Sequence, residues 1–362
     1  MNERSVATAG QILDDNRGVG PGFHALRLLL SLWVFTLHCF LVCLGADASG
    51  EFASNPLHRA LITPALPMFF IVSGYLVTGS AFRVQNTLHF LSFRVLRIAP
   101  ALVVEITLSA IVLGPLLTDK RLLEYFSDPL FAKYFLNVLG NLHFFLPGLF
   151  ASNPVSGIVN LNLWTLLPEY YCYLLISILM FSKLMFSRKY FTLFGTVSLL
   201  AATAYVIRGK NILNFVAVVD WKFLVLSFVF GCLAYHWNHK IAVTRVGAVA
   251  ALLVACLSFM HSSLILFALI AATYLVIYVG KCRPYLPAFL RNGDYSYGIY
   301  LFGFPIQQTL AHFLPPELRS GYIVLAIGLP FTVAFAMCSW HLVERPTLSL
   351  KSKFKSSYRR SE

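Results

Sequence analysis

The sequence carries little charge for its length. Of its 362 residues only 12% are Asp, Glu, Lys or Arg, whereas 58% are hydrophobic. A soluble protein carries about 25% charged residues, so this chain has too few to cover a water-facing surface. The composition therefore excludes a soluble two-domain protein, a disordered chain and a collagen, and it indicates a protein that crosses a membrane many times.

The sequence also lacks the short motifs of several common sites. It has no Walker or G-x-G-x-x-G phosphate loop, no H-E-x-x-H and no zinc-like spacing of Cys and His. Its seven cysteines include no C-x-x-C pair and are odd in number, which argues against a secreted disulfide framework. We expect them to be small buried apolar side chains, and we expect neither a metal nor a bound cofactor.

Long apolar runs are abundant, and ten of them are near the length of about 20 residues that a spanning helix needs. They are 26–46, 61–82, 98–118, 163–182, 190–207, 216–236, 246–261, 263–280, 295–314 and 321–343. The run 246–280 is too long for one crossing, so we divide it by a turn at His261-Ser262-Ser263. The prediction is an all-α, polytopic transmembrane helical bundle of about ten spans with both termini cytoplasmic.

The positions of the basic residues favour this topology over one in which the apolar stretch 134–150 is an eleventh span. With ten spans, 20 of the 28 lysines and arginines lie on the cytoplasmic side, whereas with eleven only 10 do. The positive-inside rule therefore favours ten spans. The net charge of +13 is then explained by contact with anionic lipid rather than by binding to nucleic acid.

This topology divides the chain into three parts. Residues 1–22 are predicted to be a polar, mobile cytoplasmic tail, residues 23–346 the transmembrane domain, and residues 347–362 a basic cytoplasmic tail. Within the transmembrane domain, residues 119–162 are predicted to form an external, partly re-entrant cap.

Ionisable residues inside the membrane are informative because their burial there is costly. Arg27 and His38 are eleven residues, or about three turns, apart in the first predicted helix, so they share a face and lie about 16 Å apart. Arg27 lies at the cytoplasmic mouth, and His38 lies toward the outer leaflet. A packing hydrogen bond for His38 and a lipid anchor for Arg27 are the structural alternatives.

Glu169 enters its predicted helix from the outside and reaches a depth similar to that of His38. A carboxylate beside an imidazole would orient the ring and stabilise its protonated form, as in an acid–base pair. A structural ion pair or a protonated glutamate is the alternative.

Arg94 and Arg97 share one face at the cytoplasmic end of the third predicted helix. Guanidinium groups pair with phosphate oxygens, so these residues suit either a phosphorylated ligand or the lipid phosphates. Glu105 lies eleven residues after Arg94 on the same face, and we expect it to be their structural partner.

Two further stretches contain small or polar residues next to apolar runs. In FFIVSGYL (69–76), Ser73 and Gly74 would let another helix or a ligand chain approach closely. In NGDYSYGIYLFGFP (292–305), Asp294 is expected to cap the helix that follows.

Taken together, these residues resemble the acyltransferase-3 family of bacterial integral-membrane O-acyltransferases, which modify cell-surface and exported polysaccharides. The similar stretches are ALRLLLSLWVFTLH, FFIVSGYL, SFRVLRIAP, FFLPGLFASNPVSGIVNLNLWTLLPEYYCYLL, DYSYGIYLFGFPI and HLVERP. Each is weak alone, but their order, spacing and placement in the membrane make the resemblance specific. The chain departs from the family at Asn160-Leu161-Asn162, where relatives often have Asn-Gly-Ser, and at Phe93, where they often have Arg.

The resemblance implies a reaction and a set of residues for it. Acyl-CoA, by default acetyl-CoA, would be the cytoplasmic co-substrate, and a hydroxyl of a saccharide or lipid-linked saccharide would be the acceptor. His38 and Glu169 would be catalytic. The residues that would bind substrate or acyl-CoA are Arg27, Ser73, Gly74, Tyr75, Arg94, Arg97, Asn160 and Trp164. The implied location is the bacterial inner membrane, in contact with lipid and not with nucleic acid.

The sequence leaves alternatives open for both the route and the function. His38 could deprotonate the acceptor hydroxyl directly, or it could first become acylated and then pass the group on. The same buried residues could serve a proton-coupled transporter, which predicts repeated halves that we do not find in the sequence. A structural scaffold would leave the buried ionisable residues unexplained.

Overall fold

The computed structural model describes residues 7–16, 20–208, 213–214, 218–261, 264–285 and 287–349, and it is almost entirely helical. Its α-helices are α1 Ala9–Asp15, α2 Phe23–Ser54, α3 Pro56–Ile62, α4 Ala65–Val84, α5 Thr87–Thr107, α6 Gly114–Leu117, α7 Leu122–Ser127, α8 Pro129–Tyr134, α9 Leu166–Phe181, α10 Arg188–Ile207, α11 Trp221–His236, α12 Arg245–Met260, α13 Ile265–Lys281, α14 Ala288–Arg291, α15 Ser296–Phe313 and α16 Gly321–Ser339. The segments Leu108–Leu113 and Trp340–Glu344 are π-helical, and Leu161–Thr165 is a 3₁₀-helix. The short strands β1 Leu213–Asn214 and β2 Val218–Val219 pair antiparallel.

Within the described ranges, six helical stretches are long and apolar enough to cross a membrane. They are Phe23–Ser54, Pro56–Val84, Thr87–Leu117, Leu161–Phe181, Arg188–Ile207 and Gly321–Ser349. Helices α11, α12 and α13 are also apolar but shorter. Each of the ten predicted segments overlaps a helix, although 216–236 begins before α11 and includes β2, and the all-helical membrane architecture is confirmed. The count of about ten spans and the cytoplasmic position of both ends stay predictions.

Helix α2 shows how one residue sets a boundary inside an apolar run. Its backbone leaves the helical conformation at Gly45, where φ is +83°, a value that glycine adopts without the strain other residues would suffer. The first predicted span, 26–46, ends at this point of the chain. Helix α12 ends at Met260 and α13 begins at Ile265, while Ser262 and Ser263 of the predicted turn lie outside the described residues.

The chain forms two compact units, of which the first comprises residues 1–30, 50–90 and 171–286 as far as they are described. Helices α4 and α11 pack closely in this unit because each presents a glycine to the backbone of the other. A Cβ on Gly74 would overlap the carbonyl oxygen of Phe228, and a Cβ on Gly231 would overlap that of Ile71. This is the small-residue packing that membrane helices use to bring their backbones together.

Helix α10, in the same unit, has an apolar surface that the unit leaves uncovered. Leu193, Val197 and Leu200 are 56–63% exposed, which is expected of a helix that faces lipid.

The seven cysteines of the chain are all free, and only three of them are fully buried: Cys39, Cys172 and Cys232. The expectation that they are uniformly buried is therefore wrong, because Cys256 and Cys338 lie on exposed surfaces of apolar helices.

Part of the predicted N-terminal tail is folded within the first unit. Thr8 and Gln11 form a capping box at the start of α1, and Ala9 and Leu13 are buried. The amide of Ala9 also donates to the carbonyl of Ile241 at 2.9 Å. A cap and two buried apolar side chains therefore hold this part of the predicted tail in a helix. The predicted basic tail lies outside the described residues from position 350 onward.

The second unit comprises residues 31–49, 91–170 and 287–362 as far as they are described. The predicted cap, 119–162, contains the six-residue helices α7 and α8 and further short turns. It is tied to the π-helical segment Leu108–Leu113, because the buried Tyr125 hydroxyl donates to the carbonyl of Ala110 at 2.7 Å. The stretch 134–150 has no helix long enough to cross a membrane.

Candidate active site

Three groups of polar side chains in the second unit contact α15 or the residues just before it. We name them the arginine group (Arg97, Asp294, Tyr297, Trp340 and Glu344), the asparagine group (Glu105, Ser109, Asn160, Asn162, Thr165 and Tyr300) and the histidine group (Phe35, His38, Cys39, Phe304 and Gln307). Each group contains at least one residue that the sequence singled out.

The arginine group surrounds one guanidinium with two carboxylates. Arg97 Nη2 donates to Asp294 Oδ2 at 2.6 Å, and Nη1 lies 3.5 Å from Glu344 Oε2. The rings of Tyr297 and Trp340 have their centroids 6.0 and 5.9 Å from the guanidinium carbon. The Arg97 side chain is only 16% exposed. Water therefore screens these charge interactions little, which makes them stronger than they would be on the surface.

Asp294 does not cap α15 as predicted. The N-cap residue is Tyr295, with no side-chain cap bond, and Asp294 instead accepts from Arg97 and from the Ser296 hydroxyl at 2.7 Å. A guanidinium adds attraction between two opposite charges to the hydrogen bond, which a backbone amide does not. Arg94, three residues before Arg97 on α5, is half-buried.

A proline in α15 leaves a backbone carbonyl free to accept a hydrogen bond from the asparagine group. Pro305 lies inside α15 and has no N–H, so the carbonyl of Leu301 loses its intrahelical partner. Asn160 Nδ2 donates to this carbonyl at 2.9 Å and to Glu105 Oε1 at 2.9 Å. Both Asn160 and Glu105 are almost completely buried.

Asn162 extends the same network by one step. Its backbone N–H donates to Asn160 Oδ1 at 3.1 Å, and its Nδ2 donates to the carbonyl of Tyr300 at 2.5 Å. Thr165 Oγ1 lies 2.8 Å from the Tyr300 hydroxyl. The 3₁₀-helix Leu161–Thr165 is therefore fixed to α15 by side chains at several consecutive points.

Glu105 is not the partner of Arg94 that the sequence predicted. Its Oε1 accepts from Asn160 and from the Ser109 hydroxyl at 2.9 Å. Its Oε2 is buried and has no hydrogen-bond partner among the described residues. The eleven-residue spacing placed Glu105 on the right face of α5, but buried amide and hydroxyl donors, rather than a cation, hold its carboxyl group.

The histidine group places His38 against α15. The His38 ring meets the Phe304 ring edge to face, with centroids 5.3 Å apart. Gln307 Nε2 donates to the carbonyl of Phe35 at 2.7 Å and lies 3.1 Å from Cys39 Sγ, so it binds α2 on both sides of His38. The ring is fixed in this way without a hydrogen bond of its own, since its Nδ1 is buried and unpartnered within the described residues.

Glu169 does not orient His38 through that nitrogen, contrary to the predicted pairing. It is half-buried in the first turn of α9, directly after the 3₁₀-helix whose Thr165 lies 2.8 Å from the Tyr300 hydroxyl of α15. Trp164 is half-buried in the 3₁₀-helix that precedes α9.

The remaining candidates belong to the first unit. Ser73 is half-buried, while Gly74 provides the close contact with Phe228 described above. Tyr75 is buried, and its hydroxyl accepts from Lys281 Nζ at 3.0 Å. Arg27 is half-buried near the start of α2, and that helix continues without a break to His38.

Sequence reasoning missed several buried polar residues. They are Asn162, Gln307, Gln308, Lys281 and Glu344. Gln308 donates to the carbonyls of Val155 and Ile158 at 2.8 and 2.6 Å and so ties α15 to the cap. The sequence nevertheless contained a signal for these residues, because an amide or a charge in an apolar span requires an internal partner. Within the part of the chain that the structure describes, no three His, Cys, Asp or Glu side chains are grouped to hold a metal ion.

The three groups follow one another along α15. The arginine group contacts positions 294–297, the asparagine group contacts 300 and 301, and the histidine group contacts 304 and 307. The rise from Tyr297 to Phe304 is about 10 Å at 1.5 Å per residue. A cation that suits phosphate and an imidazole that can accept a proton thus lie about two turns apart, with buried polar oxygens between them.

Comparison with known proteins shows which family the sequence resembles. The sequence profile of the acyltransferase-3 family, described as an acyltransferase domain, matches residues 21–341. The chain is 24% identical to an O-acetyl transferase of Shigella phage Sf6 over 295 residues, covering 80% of this chain and 85% of that protein. It is 28% identical to nodulation protein 10 of Rhizobium leguminosarum bv. viciae, covering 94% of this chain and 96% of that protein. No solved structure matches the chain.

Proposed function

Because the chain belongs to the acyltransferase-3 family and is a membrane acyltransferase, we propose that it moves an acetyl group from acetyl-CoA to a saccharide hydroxyl. The name of the phage relative, an O-acetyl transferase, supports both the acetyl group and an oxygen acceptor. In this proposal the donor enters from the cytoplasmic side, and the acceptor is a cell-surface or exported saccharide at the bacterial inner membrane.

One observation carries the proposed role of His38. Its Nδ1 is buried and unpartnered among the described residues, while the side chain as a whole is only half-buried. An imidazole in this state can accept a proton from a hydroxyl within reach. The hydroxyl oxygen then bonds to the thioester carbonyl carbon, the carbon–sulfur bond breaks, and the CoA thiolate receives the proton from the imidazolium.

A second route uses the same residue as a nucleophile. A ring nitrogen of His38 would bond to the acyl carbon, the carbon–sulfur bond would break, and the CoA thiolate would receive the proton of the other ring nitrogen. The acceptor oxygen would then bond to the acyl carbon, the bond from that carbon to the ring nitrogen would break, and the hydroxyl proton would pass to the imidazole. Rapid-quench mass spectrometry of the protein mixed with acetyl-CoA alone separates the routes. An acetylated peptide containing His38 favours the second route, and its absence during turnover favours the first.

For the donor, we propose that Arg94 and Arg97 bind the phosphates of CoA. Arg27, near the start of α2, is proposed separately as a donor-binding residue. Asp294 and Glu344 hold the Arg97 guanidinium in place. Ser73, Gly74, Tyr75, Asn160 and Trp164 are proposed to shape the substrate path. Glu169 is proposed as a second acid–base residue that acts on the reacting groups and not by holding His38.

The first experiment measures transfer of labelled acetyl from acetyl-CoA to envelope glycans in membranes that contain the wild-type protein or His38→Ala. Label that depends on His38 supports the proposal. Equal labelling by both proteins would make His38 a packing residue and would overturn its proposed role. If neither protein transfers label, while CoA binding is absent from the purified wild type, acetyl-CoA is not the donor.

A further inference from the structure

The asparagine group contains bare acceptor atoms that the proposed reaction does not use. Glu105 Oε2 and Asn162 Oδ1 are both buried and without a hydrogen-bond partner among the described residues. Leaving one such atom unsatisfied costs about 1–3 kcal/mol, and native proteins rarely tolerate this unless a water or a ligand completes the bond. The two atoms belong to one network, since Asn160 bonds to both Glu105 and Asn162.

The bare Asn162 atom is identified by its neighbour, and the bare Glu105 atom is a carboxyl oxygen. Asn162 Nδ2 donates to a backbone carbonyl, that of Tyr300, so the other terminal atom of its amide must be the oxygen. Asn160 Nδ2 likewise donates to two acceptors, Glu105 Oε1 and the carbonyl of Leu301. The network therefore presents acceptors, and a ligand that completes it must bring N–H or O–H donors.

The local backbone is also unusual. The helix that carries Glu105 changes to π-helical turns three residues later, at Leu108–Leu113. Such insertions occur frequently at functional sites. Ser109, inside this segment, supplies one of the two donors that hold Glu105 Oε1, so the π-helical turn itself helps to orient the carboxyl group.

The network lies between the arginine and histidine groups along α15. Its contacts at positions 300 and 301 fall after Tyr297 of the arginine group and before Phe304, which packs on His38. On the proposed function, the phosphates of the donor lie at Arg94 and Arg97 of α5, and its thioester lies at His38. The portion of CoA that joins them, the pantetheine arm, is uncharged and carries amide N–H groups and a hydroxyl.

We propose that Glu105 and Asn162 bind the pantetheine arm of the acyl-CoA donor, with Glu105 Oε2 and Asn162 Oδ1 accepting hydrogen bonds from its amide or hydroxyl groups. This inference rests on the proposed function and assigns donor-binding residues that the sequence did not. A phosphate would be repelled by these oxygens, so the network selects the neutral part of the donor.

The test compares the binding of CoA and of pantetheine, which lacks the nucleotide and its phosphates, to the full-length protein purified in detergent. The informative variant is Glu105→Gln, because the new side chain keeps an oxygen for Ser109 and Asn160 and replaces the bare acceptor with a donor. Arg94→Gln tests the phosphate end. Glu317→Gln, an exposed position in the same unit, is the matched control.

We expect Glu105→Gln to weaken binding of CoA and pantetheine by the same factor of about ten, which corresponds to about 1.4 kcal/mol. Arg94→Gln should weaken CoA binding and leave pantetheine binding unchanged, and Glu317→Gln should change neither. Asn162→Ala gives a second test if Glu105→Gln does not fold, and it should weaken both ligands by a similar factor.

Two results would overturn the inference and leave the proposed function in place. In the first, wild type binds both ligands, and Glu105→Gln and Asn162→Ala bind them as tightly as wild type does; the bare oxygens then hold only water. In the second, these variants weaken CoA alone, which would assign the network to the phosphate end. If the wild type binds neither CoA nor pantetheine, the donor assignment of the proposed function fails first, and this inference fails with it.

Discussion

The helices inside each of the two compact units pack through different kinds of interaction. In the first unit, Gly74 and Gly231 let α4 and α11 approach until side chains no longer separate their backbones. In the second unit, buried side-chain amides, hydroxyls and charges bind α15 to its neighbours. Packing of the first kind needs only shape, whereas the second kind brings reactive polar atoms together in an apolar setting, and some of these atoms stay available for a ligand.

The largest expected difference between the units is in the effect of replacing one histidine in each. His38 in the second unit is the proposed base, while His236 in the first is buried and stacked on Phe191 with ring centroids 4.5 Å apart. We expect His38→Gln to lower the transfer rate about 10²–10⁴-fold, the usual contribution of a general base, with little change in the unfolding temperature. His236→Gln should lower the unfolding temperature and keep the transfer rate per folded molecule within about twofold.

Both variants are compared in the acetyl-transfer assay and by thermal unfolding in detergent, with activity normalised to folded protein. Equal losses of activity in the two variants would remove the distinction between the units.

A substitution at the glycine contact in the first unit is expected to lower mainly the free energy of unfolding. Gly231→Ala places a methyl group against the backbone carbonyl of Ile71, and overpacking of this kind costs about 1–3 kcal/mol. Gly195→Ala is the matched control, because its new methyl group would meet only the flexible end of the Leu233 side chain. Denaturant titration of both variants measures the difference, and similar stabilities would show that α4 and α11 can separate at little cost.

The contribution of the hydrogen bond from Asn160 to the Leu301 carbonyl can be measured by also replacing Pro305, which deprives that carbonyl of its helical partner. Asn160→Ala should cost about 1–3 kcal/mol, since it leaves buried groups without a donor. In a Pro305→Ala background the helix can supply its own N–H to Leu301, so the same substitution should cost about 1 kcal/mol less. A double-mutant cycle on unfolding free energies gives this coupling, and additive effects would show that Pro305 does not determine the role of Asn160.

The smallest expected effect lies in the cap, outside the spans. Lys120 Nζ is 2.7 Å from Asp128 Oδ2, and this hydrogen bond, with one from the Leu130 amide, holds the pKa of Asp128 below its ordinary value of 3.8. A depressed folded-state pKa contributes stability that is present above the ordinary pKa and is lost as the pH falls through the folded value. The contribution is small because the pair is exposed to solvent.

The measurement is the difference in unfolding temperature between wild type and Asp128→Asn as a function of pH. We expect a small difference near neutral pH that shrinks as the pH falls below about 4. A difference that stays constant to the lowest pH would mean that the Asp128 carboxylate does not stabilise the cap through its charge.

Much of the candidate site was predictable from residue type and helical spacing. Arg97, His38 and Glu169 were identified because ionisable residues in apolar runs need a reason, and Asn160 because of the motif around it. Their partners were not predictable, since a spacing of eleven residues gives a face of a helix and not a neighbour on another helix. Glu105 was matched to Arg94 on this ground, whereas its carboxyl group bonds to Asn160 and Ser109.

The sequence by itself determined the membrane architecture, because low charge and long apolar runs permit little else, and it determined helix boundaries where glycine or proline constrains the backbone, as at Gly45. The tertiary structure alone decided which buried polar groups meet. Asp294 binds Arg97 instead of capping α15, and Asn160 fills the vacancy that Pro305 makes at Leu301. Such pairings depend on contacts between residues more than a hundred positions apart, and a hydrogen bond is made only where the fold brings donor and acceptor within about 3 Å.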